Sequence, residues 1–259
     1  MTRNSCLYYY HLAVITNFLL LGVKNMNQAK LGVLTISGPD AKTFLQGQIT
    51  CDLNQIKNNP CLGAHCNPKG RVIFLFQIFI DNNDYHLIRP KNMTAIAQHA
   101  LKRYSSFYNV SLNENILPLD QITSIVGRDH ILQGIPDIYP ETSGKYLPHE
   151  LNLIALGAIS FDKGCYTGQE IIARMHYRGK LKTQLYVAQA QLKSPPLRGE
   201  DIYNNDKLPC GSIVDYQLQN NSPDYYHLLI TCNNINSASQ PLYRHTDVSE
   251  EIYLKDTLK

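Results

Sequence analysis

From Leu31 to Ile36 the chain reads LGVLTI, a short run rich in branched apolar residues that predicts a strand. Ser37-Gly38-Pro39-Asp40 breaks the run, and Pro39 suits the first turn of a short helix carrying Phe44, Leu45 and Gln48. Residues 66–90 then predict turn, strand, turn, strand, with Asn67–Gly70 as the first turn and Asp81–Asp84 as a hairpin loop. In KNMTAIAQHALKRYSSFY, the residues Ile96, Ala97, Ala100, Leu101 and Tyr104 recur at helical spacing and make one apolar face. Strands are expected next at Val110–Leu112 and Ile122–Val126.

From Thr183 the pattern changes. TQLYVAQAQL, CGSIVDYQLQ and DYYHLLITCN read as strands separated by SPPLRGED and NNSPD, with no helical period between them. An all-β end domain follows, a small barrel or sandwich. The fold class is therefore α+β over the first ~180 residues and β thereafter.

A chain of 259 residues can hold one large or two to three small domains. With 44% hydrophobic and 17% charged residues it is an ordinary globular sequence rather than a disordered one. A net charge of +3 is too weak to mark a nucleic-acid binder without a local basic patch. Lys102, Arg103, Lys180 and Lys182 are the basic residues such a patch would use, but no aromatic platform accompanies them, so direct tRNA binding is not expected. At the N-terminus, the apolar run from Leu12 to Val23 is interrupted by Thr16 and Asn17 and is too short to span a bilayer. Residues 1–25 read as a leader or first packing element, Met26 as an alternative start, and the chain as cytoplasmic, with no membrane contact.

Seven cysteines, odd in number and scattered, fit free thiols in a reducing compartment. Cys51, Cys61, His65 and Cys66 approach a metal-like spacing within NNPCLGAHCNPKG, yet zinc sites come as two ligand pairs, and a turn with ordinary cysteines is the simpler reading. No metal is expected.

Cys165 is different. It stands in KGCYTGQE, with Lys163 two residues before it and Arg174, His176 and Arg178 after it. Thr167 and Glu170 match a capping box, which predicts a helix from Gly168 to about Arg178, closed by Gly179. Ile171, Ile172 and Met175 would form its apolar side, and Glu170 and Arg174, four apart, would pair. Cys165 just ahead of that N-terminus would meet free backbone N–H groups and the positive dipole end, conditions that suit a thiolate, with Lys163 adding to them. A buried cysteine at a tight turn is the competing reading.

KGCYTGQE at Lys163–Glu170, within residues 134–186, resembles the signature of the YgfZ family, folate-binding relatives of the glycine-cleavage T protein. ISGPDAKTFLQGQITCDL and HCNPKGRV, in the same order upstream, are similar to that family's opening segment and its Lys-Gly turn. The resemblance implies a T protein-like N-terminal α+β region over 26–182, with a ferredoxin-like insertion at about 60–115, and a C-terminal β-barrel at 183–259. It also implies tetrahydrofolate held between domains. Glu150 would then take the amino-pyrimidine edge, Arg174 or Arg178 the glutamate tail, and Tyr166, Gln169 and Glu170 would add contacts. The chain has no Trp, so any stacking on the pterin must come from Tyr or Phe. The family's role is maintenance or repair of iron–sulfur clusters in client proteins, including the radical-SAM enzyme that thiomethylates tRNA. Cys165 would be the functional thiol, with Lys163 beside it, in a protein expected to be monomeric. One cysteine cannot hold a cluster alone, so a client or small thiol would have to supply the remaining ligands. The alternative is a folate-dependent aminomethyl or one-carbon transferase, which relies on an Asp near the folate rather than on a Cys.

Overall fold

The computed structural model describes residues 31–56, 60–115, 130–219, 222–233, 241–246 and 249–255. The leader at 1–25, Met26 and the strand expected at Ile122–Val126 lie outside them.

Strand β1 (Leu31–Ser37) is followed by the short helix α1 (Ala41–Gln46), which ends before Gln48. Next come β2 (Cys61–Cys66), β3 (Val72–Asp81) and β4 (Asp84–Pro90). Helix α2 (Thr94–Lys102) and β5 (Ser111–Asn115) complete this region. The sheet order is β2-β3-β4-β1-β5, with every pairing antiparallel. Strand β1 precedes the expected insertion at 60–115, yet it lies between β4 and β5. The β3–β4 hairpin turns on Asn82 and Asn83, whose φ values of 49° and 71° give the primed turn that matches the strand twist. The apolar face read for α2 is the packed one: Ala97 and Leu101 are buried, and Ile96, Ala100 and Tyr104 pack against the same core.

Strand β2 replaces the turn with ordinary cysteines expected around Cys61–Cys66, while the turn expected at Asn67–Gly70 is present, closed by Gly70 N–H donating to Asn67 O. The strand's small residues, Gly63 and Ala64, conceal the strand signal, while pairing with β3 supplies the hydrogen bonds. Glycine is needed at 63, because a Cβ there would lie 2.8 Å from the Phe76 ring and 2.7 Å from the Cys51 sulfur.

After α3 (Gln169–Arg178) come β6 (Thr183–Gln191), β7 (Asp201–Tyr203), β8 (Pro209–Leu218), β9 (Tyr225–Asn233), β10 (Leu242–Tyr243) and β11 (Glu251–Leu254). They close into a barrel in the order β10-β11-β6-β9-β8-β7. Alternation divides each long strand between two cores. Tyr186, Ala188 and Ala190 of β6 fill the barrel, whereas Leu185 and Val187 pack into the α+β body. Leu228 and Ile230 of β9 point in, and Leu229 points to the body. The barrel wall is thus one side of the main core.

Candidate functional site

The signature loop is built on the segment after α1. Thr50, fully buried, is bonded on every side. Its hydroxyl donates to Ala158 O at 2.7 Å and accepts from Ala64 N, and its backbone N–H donates to Ala64 O and its carbonyl accepts from Ser160 N. Each bond is made in a dry interior, where an unmet partner would be costly. Against this frame Lys163, 8% exposed, sends its ammonium inward to Ile49 O at 2.8 Å and Cys51 O at 2.9 Å. Burial lowers the lysine to about 8, while the Cys51 and Asp52 charges act the other way. Tyr166, also buried, lies beneath with its ring 5.2 Å from the Lys163 nitrogen. Burial raises the tyrosine, and its hydroxyl has no partner among the described residues. Between these two anchored side chains, Gly164 faces open space and Cys165 is exposed. A rigid loop therefore presents one thiol to solvent. The lysine expected to stand beside that thiol instead spends its donors on backbone carbonyls.

The capping box is not formed. Helix α3 starts at Gln169 with Gly168 as N-cap and no side-chain cap. Thr167 donates its backbone N–H to Gly47 O and its hydroxyl to Gln48 Oε1, while Glu170 pairs with Arg174 at 2.7 Å on the exposed face. Gly168 is required: φ is 86°, and a Cβ would lie 2.6 Å from Asn67 O. Ile172 anchors the helix in the core, and Gly179 donates to Met175 O at its end. On the exposed side His176 stacks on Phe161, with centroids 4.3 Å apart.

The expected folate ligands are spread over this region. Gln169 is half-buried at the helix start; Glu170, Arg174 and Arg178 are exposed. Glu150 Oε2 accepts from Leu147 N at 2.7 Å and from Arg71 at 3.3 Å, so one carboxylate oxygen already closes a turn. Lys102 and Arg103 at the end of α2, and Lys180 and Lys182 before β6, are exposed.

His65 stacks on Phe74 and shares a hydrogen bond with Gln48 O at 2.8 Å; a carbonyl only accepts, so the proton sits on Nδ1. Burial pushes His65 down to about 4. Burial raises the Cys66 thiol. A hydrogen bond between Cys51 and Cys61 raises the former and lowers the latter.

One cluster escaped the sequence reading. Asp215, 1% exposed, accepts from Arg198 Nε at 2.8 Å and lies 3.4 Å from His130 Nε2. A register shift in β8 between Ile213 and Asp215 places both Val214 and Asp215 on the body side. The Arg198 guanidinium lies over Tyr139 at 3.6 Å and Tyr216 at 4.5 Å. Burial raises nearby Asp137 to about 6, with Asp215 adding to the rise and His130 and Arg198 opposing it. Burial opposes charge on His130, but its bond to Asp215 and the charges of Asp137 and Asp215 raise it overall. Ligand-type atoms of His130, Asp137 and Asp215 lie within 4.8 Å of one another. Arg198 already neutralises Asp215, so the group is an ion-pair network at the junction of body and barrel. The sequence signal, a lone Asp in an apolar strand, is visible only once the bulge is known.

This architecture is that of the glycine-cleavage T protein class. The crystal structure of the aminomethyltransferase T of the glycine cleavage system from Bartonella henselae superposes with a TM-score of 0.67, over 88% of this chain and 83% of that one, at 9% identity. No protein-family model matches the sequence. The chain is 29% identical to the tRNA-modifying protein YgfZ of Colwellia psychrerythraea, covering 67% of this chain and 74% of that protein. It is 28% identical to the proteins of the same name from Photobacterium profundum (66% and 71% covered) and Klebsiella pneumoniae (65% and 72%). These matches bear out the resemblance carried by residues 163–170: about two thirds of the chain is similar to YgfZ proteins at 28–29% identity. No helix among the described residues is long and apolar enough to cross a membrane.

Proposed function

We propose that the protein is a cytoplasmic tetrahydrofolate-binding accessory factor for assembly or repair of iron–sulfur clusters, supporting radical-SAM thiomethylation of tRNA through Cys165. The observation that carries this reading is the exposed Cys165 between the buried, anchored Lys163 and Tyr166. A thiol that served packing would be buried, as Cys51, Cys66 and Cys232 are. An exposed thiol on a fixed loop is suited to transient contact with iron, sulfur or a partner's disulfide. The relatives' name, tRNA-modifying protein, supports the tRNA connection, and the T protein-like fold supports a folate ligand. In this reading Glu150 keeps an oxygen for the pterin's amino edge, and Arg174 or Arg178 meets the tail at the surface.

Calorimetric titration of tetrahydrofolate into wild type, Cys165→Ala and Glu150→Gln, alongside tRNA thiomethylation in cells dependent on each variant, tests it. The expected result is folate binding by Cys165→Ala without restored thiomethylation, and weakened binding by Glu150→Gln. A wild type that binds no folate, or full activity from Cys165→Ala, overturns it.

The aminomethyltransferase alternative has one observation of its own, the half-buried Asp137 carboxyl raised to about 6. Loss of folate-dependent group transfer in Asp137→Asn, with Cys165→Ala fully active, would favour it.

A further inference from the structure

Of the ten residues of helix α3 only Ile172 is buried, and the last turn stands largely in solvent. That end carries a ring cluster assembled from both sides of the signature loop. His176 lies face to face with Phe161, and Tyr177 meets both rings edge-on, at 4.9 Å from His176 and 5.9 Å from Phe161. Tyr177 is nonetheless 71% exposed. Its neighbours hold the ring while most of it stays open to a partner. A ring ordered in advance offers a flat apolar surface at little further cost in side-chain entropy. The platform missing from the sequence pattern is thus supplied by the fold.

The charge around the cluster is largely of one sign. Residues 161–182 contain five Lys or Arg and two carboxylates, Asp162 and Glu170, a net of +3, equal to the formal net charge of the whole chain. The weak basic excess is therefore concentrated on this segment. Lys163 is spent on backbone carbonyls, and Arg174 pairs with Glu170. Arg178, Lys180 and Lys182 remain, exposed and without an ion pair among the described residues. Asp162, at the Phe161 end, is the only carboxylate of the segment outside the Glu170 pair.

Three free cations along the chain can follow a phosphate backbone, and the fixed ring can stack a base. A carboxylate-rich peptide would use the cations and leave the ring idle, whereas a duplex hides its base faces. A single strand uses both features.

We propose that this end of α3 is a docking surface for single-stranded RNA, with Tyr177 as the stacking platform and Arg178, Lys180 and Lys182 as phosphate contacts. The choice of RNA over DNA rests on the tRNA reading above; the surface itself rests on the rings and the charge. Tyr177 lies about 12 Å along the axis from the start of α3, the end that Cys165 precedes, so a bound strand would run near the exposed thiol.

The test titrates the full chain into fluorescein-labelled oligouridine, followed by anisotropy at several salt concentrations, with labelled polyglutamate as a second probe. The expected result is saturable RNA binding whose log affinity falls with log salt at a slope of roughly 2, about 0.7 for each of the three cations. Tyr177→Ala should weaken binding roughly tenfold with the slope unchanged, and Tyr177→Phe, which keeps the ring, should bind as wild type does. Lys180→Gln combined with Lys182→Gln should lower the slope by about 1.4. These side chains are exposed, so thermal melts should match wild type and show each variant folded. No saturable RNA binding, undiminished binding by Tyr177→Ala, or polyglutamate bound as tightly as RNA overturns the proposal. None of these outcomes changes what folate binding or Cys165→Ala would show, so the two readings fail separately.

Discussion

The ammonium of Lys163 donates to the backbone carbonyl of Cys51 at 2.9 Å across 112 residues of sequence. That bond and its twin to Ile49 O tie the signature loop to the segment after α1. The lysine is the loop's structural anchor, and the exposed Cys165 is its tip. The two residues should therefore separate in stability measurements. Lys163→Met should cost about 2–3 kcal/mol, because two buried carbonyls lose a charged donor. Cys165→Ala should stay within about 0.5 kcal/mol of wild type. Urea unfolding, read at the midpoint with the slope unchanged, checks both.

Gly168→Ala should destabilise by at least 1–2 kcal/mol, roughly the cost of left-handed backbone alone, with the contact to Asn67 O added. Gly164→Ala meets nothing within 4 Å and should be mild. Thermal melts of the pair separate a demand for glycine from mere proximity to Cys165.

Asp215→Asn should be among the most damaging single changes, at roughly 3–5 kcal/mol. It keeps the shape but leaves Arg198, stacked over Tyr139 and Tyr216, without its carboxylate. Unfolding of the variant, followed by tyrosine fluorescence and by far-UV dichroism, should show a lowered midpoint in both signals. An unchanged midpoint would remove the network from the junction's energetics.

Acid should expose two opposing titrations. His65 is held at about 4 against an ordinary 6.5, so the unfolded chain takes up its proton first. Stability from this group is complete above 6.5 and is lost as pH falls to about 4, by on the order of 3 kcal/mol. Asp137 runs the other way: raised from 3.8 to about 6, it holds a proton in the folded state that the unfolded chain has released. Its contribution grows as pH falls through that window. His65→Gln should flatten the acid-side loss, and Asp137→Asn should steepen it, in stability profiles measured from pH 7 to pH 4.5.

Much of the fold was legible along the chain, because the signals are local. Asn82-Asn83 tolerates positive φ and makes the hairpin. Ala97 and Leu101 keep helical spacing, and Leu228 and Leu229 alternate between two cores. The resemblance carried by KGCYTGQE led to relatives named YgfZ and to the T protein-like fold. Strand β2 was missed because Gly63 and Ala64 carry little strand preference of their own and are ordered by β3. The capping box failed for a related reason. Thr167 and Glu170 had the right spacing, but Gln48 and Arg174 offered nearer partners once the chain was folded.

By itself the sequence determined most of the long strands and the helices, the turns at Asn67–Gly70 and Asn82-Asn83, and that Cys165 sits beside a helix start. These depend on neighbours within a few residues, whose sterics and hydrogen bonding the local order of side chains already contains. The tertiary structure alone decided the direction of the Lys163 ammonium and the bulge that carries Asp215 to the junction. Each depends on groups tens to more than a hundred residues away, and burial, which sets the cost of an unmet charge, exists only after those groups have come together.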